Sequence, residues 1–539
     1  MIKKRWLAAV VGAALMAGGL FAVPTAPPAQ AEAFPPSCTN YPYRAPGWVA
    51  AENANAGTAN WLVTDYAYDK NDGTQGFLDR SSAICGDTVN AYISTAASTY
   101  TVKAYRLGYY GGVKARLIWT SSVRTGVNQA NPSITAYPEN KIYASWTPAL
   151  TIPIDVSWPP GSYVLRIQPS SGTGSYIPLV IRDDGSTSDI LMQSSTMTFQ
   201  AYNQWGGYSL YRGNYDNPPS QVATRSRKVT WQRPYWGKPD TAHPYQGSYG
   251  DGLVIKEELP LISYMEEYGM DVSYWTDQDL DARPQLLANH HVLALTAHDE
   301  YWTQGMRDVL EQYTAAGLNL VNFGANTGYW RSRMDAAGRN YETWRYASED
   351  PVKSPPEAVT FRFRETTTPG FAESKLLGGM YQCVFGAYGD TSAGHLDGPV
   401  VNPGSPSWVM QGYPTLSTIP GVVAQEVDGY YNNAAYKPTS MTGVEILAHR
   451  QYDCGPDYGT NVTWDLTYYN DPTSGAGVIN VGTLGWMCTL AAECDWAVAG
   501  STKSYVRQVT YNILNQFKQG VPPANKRAMA NTANFTWVR

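Results

Sequence analysis

The chain is poor in charge and in histidine, and both shortages narrow what it can be. Only 16% of its 539 residues are Asp, Glu, Lys or Arg, and six are histidine: His243, His290, His291, His298, His395 and His449. No basic run occurs, which argues against nucleic acid or an anionic membrane as a partner. There is no H-E-x-x-H pair for a catalytic zinc, no C-x-x-C pair for a zinc ribbon, and no G-x-S-x-G elbow for a nucleophilic serine. No phosphate-cradling glycine loop follows a first strand. After the first two dozen residues there is no second long apolar run, so no further membrane span is expected. Internal repeats and low-complexity linkers are absent too.

What the chain does carry begins at its first residues. Lys3, Lys4 and Arg5 precede an apolar run from Trp6 to Val23, and Ala29-Gln30-Ala31 closes it with small residues. This reads as a secretory signal over residues 1–31, cut after Ala31, and predicts a secreted, extracellular protein with no integral membrane segment after cleavage. A twin-arginine pair is missing, so export is expected unfolded, with any metal acquired outside. Losing the three leader cations takes the formal net charge from −6 to −9, a mildly acidic balance. With 43% hydrophobic residues, 18 Trp and 40 Tyr, there is material for a large core in two or three domains. The six cysteines all follow the leader, and an even number in an exported chain reads as disulfides. Proximity pairs Cys38 with Cys85 and Cys488 with Cys494, which leaves Cys383 with Cys454.

Hydrophobic periodicity divides the rest. Over 32–185 short alternating or apolar runs (Asn90 to Ser94, Thr101 to Leu107, Ser162 to Ile167, Ile177 to Ile181) are parted by Gly, Pro, Asn and Ser clusters, which predicts a β-sandwich. Over 186–539 the period changes. Ile190-Leu191-Met192 reads as a buried strand, Pro260 to Tyr268 as a helix stopped by Gly269, and Val272 to Trp275 as a strand. The strand Val292 to Thr296 leads to a helix carrying Met306, Val309, Leu310 and Tyr313, and Leu318 to Phe323 is the next strand. Such alternation predicts a doubly wound α/β domain on parallel strands. Residues 355–500, rich in Gly, Pro and aromatics, read as its β-rich elaboration. The expected fold class is therefore α+β and multidomain.

The stretch that carries chemistry is His298-Asp299-Glu300-Tyr301-Trp302. It lies between a buried strand and a helix, at the carboxyl end of a strand, where open α/β sheets gather their ligands. Asp299 could simply cap the helix and His298 fill a gap, but two carboxylates and an imidazole in three positions favour a site. The remaining resource is oxygen. Carboxylate and phenolate are hard ligands suited to a hard ion such as ferric iron, and a tyrosine, with an ordinary pKa of about 10, ligates only where a cation holds its phenolate form. Any single tyrosine is more often packing.

Six motifs, in order from about residue 100 to 345, resemble the N,N-dimethylformamidase large (beta) subunit family. They are Tyr105-Arg106-Leu107-Gly108-Tyr109-Tyr110-Gly111-Gly112-Val113-Lys114-Ala115-Arg116, Ala201-Tyr202-Asn203-Gln204-Trp205-Gly206-Gly207, Arg233-Pro234-Tyr235, Thr276-Asp277-Gln278-Asp279-Leu280, His298-Asp299-Glu300-Tyr301-Trp302 and Phe323-Gly324-Ala325-Asn326-Thr327-Gly328-Tyr329-Trp330. The resemblance implies a catalytic domain similar in fold to class I glutamine amidotransferases, without the cysteine nucleophile. It also implies a mononuclear Fe(III) held by two tyrosines and one glutamate. Carried onto this chain, the glutamate is Glu300 and the tyrosines are Tyr202 and Tyr235, with Tyr208, Tyr245 and Tyr301 as near candidates for the same role. His298, Asp299 and Asn326 match residues that line the same site. The family's lysine beyond the last motif has no counterpart here, where Tyr341-Glu342-Thr343-Trp344-Arg345-Tyr346 carries none before Lys353. The family's intracellular members work with a small partner subunit; no such subunit is evident for this exported chain, and a homo-oligomer stays open.

The expectation is a secreted iron-dependent amidohydrolase acting on the C–N bond of a small-molecule amide. The ion would polarise the carbonyl while Asp299 or His298 moves a proton toward the leaving amine. The rival from another class is an exported carbohydrate-binding or carbohydrate-active surface protein without a metal, its Trp and Tyr stacking on sugars and Asp299 and Glu300 acting as a carboxylate pair.

Overall fold

Alternation of buried and exposed side chains builds the first layer pair. The computed structural model describes residues 38–63, 73–213, 223–238, 248–365, 371–384, 394–412, 415–432, 443–454, 462–535 and 537; the expected leader over 1–31 and Tyr245 lie outside them. One antiparallel sheet contains β1 (Gln75–Leu78), β3 (Thr88–Ser94) and β6 (Leu150–Pro153) in the order β1-β3-β6. The other contains β2 (Ser82–Ile84), β4 (Thr99–Leu107), β5 (Ala115–Thr120), β7 (Gly161–Pro169) and β8 (Ser175–Arg182) in the order β2-β8-β7-β4-β5. Every second residue of β3 and of the first half of β4 is buried. The inward residues Ile93, Val102, Ala104, Trp158, Leu165 and Ile177 share one core, as two facing sheets require.

From residue 190 the strands are buried along their whole length, as parallel strands covered on both faces must be. They are β9 (Ile190–Ser194), β10 (Val272–Thr276), β11 (Val292–Ala297) and β12 (Asn319–Gly324). Three later strands, β13 (Glu445–Tyr452), β14 (Val462–Asn470) and β15 (Gly477–Asn480), complete a seven-stranded sheet in the order β10-β9-β11-β12-β15-β14-β13. The first five run parallel, β14 pairs antiparallel with β15, and β13 pairs antiparallel with β14. The protein is thus mixed α/β, and the strand–helix alternation seen in the sequence is a parallel sheet. Gly324 closes β12 because a Cβ there would run into the Ala297 carbonyl at the end of β11.

The helices that matter to the site are α1 (Trp48–Asn53), α2 (Thr196–Tyr202), α3 (Leu259–Glu267), α4 (Asp277–Ala282), α5 (Gln304–Ala315), α6 (Gly485–Ala491) and α7 (Gly500–Phe517). Helix α4 starts on a reciprocal cap, Thr276 accepting from the Asp279 N–H while the Asp279 carboxylate accepts from Thr276. Three disulfides pair Cys38 with Cys85, Cys383 with Cys454 and Cys488 with Cys494, as expected. Among the described residues no helix is long and apolar enough to cross a membrane.

The second face of the β2-β8-β7-β4-β5 sheet packs into the same core as the parallel sheet, with Tyr105, Leu107 and Val164 against Ile262 and Met265 of α3. A fully buried ion pair lies in this apolar layer. Arg106 of β4 donates to both carboxylate oxygens of Glu266 on α3, at 2.8 and 2.5 Å, and both side chains are fully buried. Tyr274 and Asn53 donate to the same carboxylate, and Tyr110, Leu107 and Pro160 accept from the guanidinium. The Tyr105–Gly112 motif is therefore the sandwich half of a satisfied polar network, and Gly108 leaves the room that the Glu266 carboxylate fills. Removing one partner of such a pair strands a charge in the core and costs about 3–5 kcal/mol. Glu266→Ala and Arg106→Ala should each lose about that much in urea unfolding, and Arg106→Met with Glu266→Leu should recover part of it. Losses below about 1 kcal/mol in both single variants would strip the pair of this role.

Candidate active site

The carboxyl ends of β9, β10, β11 and β12 open on one crevice. From β9 the chain turns into α2 and delivers Tyr202; from β10 it delivers Asp277; from β11, His298, Asp299 and Glu300; from β12, Asn326. Three hydrogen bonds to the Glu300 backbone set the central turn. The Glu300 N–H donates to the Thr198 hydroxyl, and the Glu300 carbonyl accepts from Tyr329 and Trp330. These fix Glu300 between α2 and the segment after β12.

The Glu300 carboxylate, 2% exposed as a residue, receives two phenols. Tyr202 Oη donates to Oε2 at 2.7 Å, Tyr211 Oη reaches Oε2 and Oε1 at 2.8 and 2.9 Å, and the two hydroxyls lie 2.8 Å apart. The two rings stack with centroids 4.4 Å apart. Burial first, and then the Glu300 charge, push both phenols well above their ordinary range. The carboxyl of Glu300 is itself raised by burial. Three oxygens thus crowd together, reluctant to lose their protons unless a cation takes their place.

Beside them His298 Nε2 lies 3.0 Å from Glu426 Oε2 and 3.4 Å from Glu300 Oε2. Burial works against a charge on His298, but the Glu426, Glu300 and Glu257 carboxylates outweigh it and hold the imidazole at about 10. Asp299 turns the other way and accepts from Gln193 Nε2 at 2.7 Å; burial raises it to about 6. Asn326 has a left-handed backbone, φ +56°, and its N–H donates to Asp428 Oδ1 at 2.8 Å. Asp428 is held in turn by Asn480 Nδ2 at 3.0 Å, and burial raises its carboxyl to about 7. The Asn326 Oδ1 oxygen is buried here without a hydrogen-bond partner among the described residues.

The structure brings together Tyr202, Glu300 and His298 from the sequence expectation, with Asp299 and Asn326 on the flanking turns. It does not bring Tyr235 to them. That phenol faces Gln200, with Asp277, Arg233 and Glu258 as its charged surroundings, and its ring packs beside Gly252. The phenol paired with Tyr202 is Tyr211. The reason is local: Leu210 N–H returns to the Ala201 carbonyl and Ser209 closes a tight turn with Arg212, which folds Tyr211 back onto the end of α2. Tyr208 packs near Trp205 instead, and Tyr301 stands edge-on to Tyr211. Nothing in the spacing of Ser209-Leu210-Tyr211 announces this arrangement. Glu426, a strand residue more than a hundred positions further on, is equally unannounced. Among the described residues no three His, Cys, Asp or Glu side chains form a metal-ligand cluster; the convergence here is of two phenols and a carboxylate.

Glu258 gives a test of the crevice floor. It accepts from Ser195 N–H at 3.2 Å, and burial raises its carboxyl from 4.5 to about 8. A carboxyl raised by folding favours the folded state below its unfolded pKa and is lost as a stabilising influence while pH rises through the folded value. Between about pH 4.5 and pH 8 the wild type should therefore lose stability that Glu258→Gln keeps. Melting temperatures of the two proteins at pH 5 and pH 9 check this. Identical pH dependence would show that Glu258 ionises freely in the fold.

Comparison with known proteins bears on this geometry. No curated protein matches the chain. Among solved structures, a Paenibacillus sp. cycloisomaltooligosaccharide glucanotransferase complexed with cycloisomaltoheptaose aligns at 8% identity over 49% of this chain and 54% of that chain, about half its length, with a TM-score of 0.16. A superposition that poor carries no argument about fold or activity. A family model is different in kind: the one described as N,N-dimethylformamidase beta subunit-like, C-terminal, matches residues 101–497, the span that holds β4 through α6 and every residue of the crevice. With well over half of its 539 residues matched, this chain belongs to the N,N-dimethylformamidase beta subunit-like family.

Proposed function

We propose that the protein is a secreted hydrolase of an amide-like C–N bond that works with one ferric ion. The family suggests a dimethylformamidase-like hydrolase. The observation that carries the metal is the meeting of Tyr202, Tyr211 and Glu300, three hard oxygen donors within 2.9 Å of one another in a buried setting. Phenols raised this far ionise only against a strong Lewis acid, and a trivalent cation suits that donor set. When bound, such an ion polarises a carbonyl and acidifies water.

The chain's own residues supply the rest. His298, charged beside Glu426, holds a proton at Nε2 that it can give to the departing amine, and Glu426 keeps the ring oriented. Asp299, fixed by Gln193, offers a carboxylate near neutral pH as the acceptor of a water proton. The Asn326 side chain, presented by a backbone that Asp428 pins, orients the amide. Water adds across the carbonyl carbon, the C–N bond breaks, and acid and amine leave. The doubly wound, glutamine amidotransferase-like architecture fits the parallel sheet, and a leader over residues 1–31 fits three disulfides. The carbohydrate reading needs Asp299 and Glu300 to act as a pair; their carboxylates point to different partners, Gln193 and the phenols.

Colour tests the assignment. Purified protein loaded with iron should show a phenolate-to-iron absorption band in the visible. Tyr202→Phe and Tyr211→Phe should each weaken or shift it, Glu300→Ala should lose both band and metal by elemental analysis, and Tyr235→Phe should leave the band in place. A colourless iron-loaded protein, or one stoichiometric in zinc, sinks the ferric site. If Tyr235→Phe alone bleaches it, the ligand is Tyr235 and not Tyr211.

A further inference from the structure

Arg345 stands next to the phenol cluster with no ion-pair partner among the described residues. Its guanidinium carbon lies 3.9 Å from the centroid of the Tyr211 ring and 4.4 Å from that of Trp330. Tyr202 stacks on Tyr211 at 4.4 Å, and a ring and a guanidinium that close cannot share one face. Tyr211 is therefore sandwiched between the Tyr202 ring and the Arg345 guanidinium.

Three further observations concern what Arg345 lacks. Among the described residues no carboxylate comes within ion-pair distance of it; Tyr301, Tyr211 and then Glu300 bear on its charge, and Glu300 is already engaged by two phenols. Three nearby arginines are paired, Arg333 with Glu342 and Asp350, Arg362 with Glu365 and Arg364 with Glu373, whereas Arg331, like Arg345, meets ring faces and a carbonyl instead. The hydrogen bond that Arg345 makes among the described residues is a long one, Nη1 to the Leu210 carbonyl at 3.4 Å, and its Nε is buried there without an acceptor. Ring faces answer the charge without giving Nε an in-plane oxygen acceptor. Last, Arg345 has a left-handed backbone, φ +67°. That conformation is costly for a long side chain, and residues held so cluster at ligand clamps.

We propose that Arg345 is a carboxylate-binding subsite beside the candidate catalytic cluster, and that the enzyme's substrates are amides bearing a carboxylate. The inference rests on the hydrolase reading and deepens it. Arginine presents planar paired donors that match a carboxylate's two oxygens, and it keeps its charge at any working pH. A bound carboxylate would give the guanidinium a closer acceptor than the Leu210 carbonyl at 3.4 Å. A neutral solvent amide such as dimethylformamide leaves this fork unmatched, and a site with an unmatched buried donor discriminates against the ligand that leaves it so.

The test compares isosteric pairs that differ in one charge: succinamate against succinamide, and N-formylglycine against N-formylglycinamide. Turnover and calorimetric binding are measured on the full protein as isolated with its metal, for wild type, Arg345→Met and Arg345→Lys. In wild type, kcat/KM and affinity should favour the anionic member of at least one pair by about tenfold to a hundredfold, the range of a charge-assisted hydrogen bond. In Arg345→Met that ratio should fall to about one, and in Arg345→Lys it should be partly kept, since lysine restores charge but not the fork. A ratio near one in wild type for both pairs, or a ratio that Arg345→Met leaves intact, overturns the subsite. Wild type needs no variant to fold, so the first of these outcomes is always readable. Arg345-dependent binding of the anion without hydrolysis of any of the four compounds would keep the subsite and refute the hydrolase reading; hydrolysis of both members of each pair at equal rate would do the reverse.

Discussion

The fully buried pair of Arg106 and Glu266 is the constraint around which the two halves of the described chain are arranged. Two ions cannot sit in an apolar layer unless they touch and every remaining lone pair and proton is answered. That demand fixes β4 against α3 to within hydrogen-bond tolerance, and it recruits Asn53 from α1, Tyr110 from the turn after β4 and Tyr274 from β10. Helix α3 follows directly from the turn Val254–Glu258, whose Glu257 and Glu258 face the crevice. The back of the molecule therefore sets the position of acids at the front. Apolar contact alone, being non-directional, would let α3 slide.

The crevice is an acidic interior with few compensating cations. Glu257, Glu258, Asp277, Asp299, Glu300 and Asp428 are all buried, and burial raises each of their carboxyls. Facing them are the His298 imidazolium and, past Tyr211, Arg345. A site held this way keeps protons in store near neutral pH and favours an added positive charge at its centre. In the proposed reading one ion supplies that charge and the protons move at its edge, on His298 and Asp299.

Much of this was legible in the chain because the signals were local. Unbroken apolar runs marked β9 to β12, a helical period marked α3 and α5, and the acidic turn after β11 marked Glu300. Those features depend on neighbours a few positions apart, and sequence displays such neighbours. The Cys488–Cys494 bridge was legible for the same reason. Tyr211 was not, because its place depends on how the chain doubles back after α2 through Leu210 and Ser209, a matter of backbone hydrogen bonds rather than of residue pattern. Arg233-Pro234-Tyr235 stood out as a motif, yet its arginine is engaged by the Gln200 side chain and the carbonyls of Gln200 and Tyr208, which marks it as scaffolding. Glu426 and Arg345 were invisible for a plainer reason: what each does is defined only by partners far away in sequence.

The sheet order also governs when the crevice can exist. β15 (Gly477–Asn480) lies next to β12 in the interior of the sheet, although more than 150 residues separate them in the chain. Its Asn480 grips both Asn322 and Asp428, and Asp428 in turn positions Asn326. A nascent chain that has emerged only as far as residue 440 thus carries Tyr202, Tyr211, Glu300 and Glu426 but lacks the strand that locks the loop opposite them. Closing so long a loop is slow, and it comes after the local helices and hairpins have formed. The centre of this fold is consequently a late product of folding: until residues 477–480 take their place beside β12, Asp428 and Asn326 lack the side chain that ties them to the sheet.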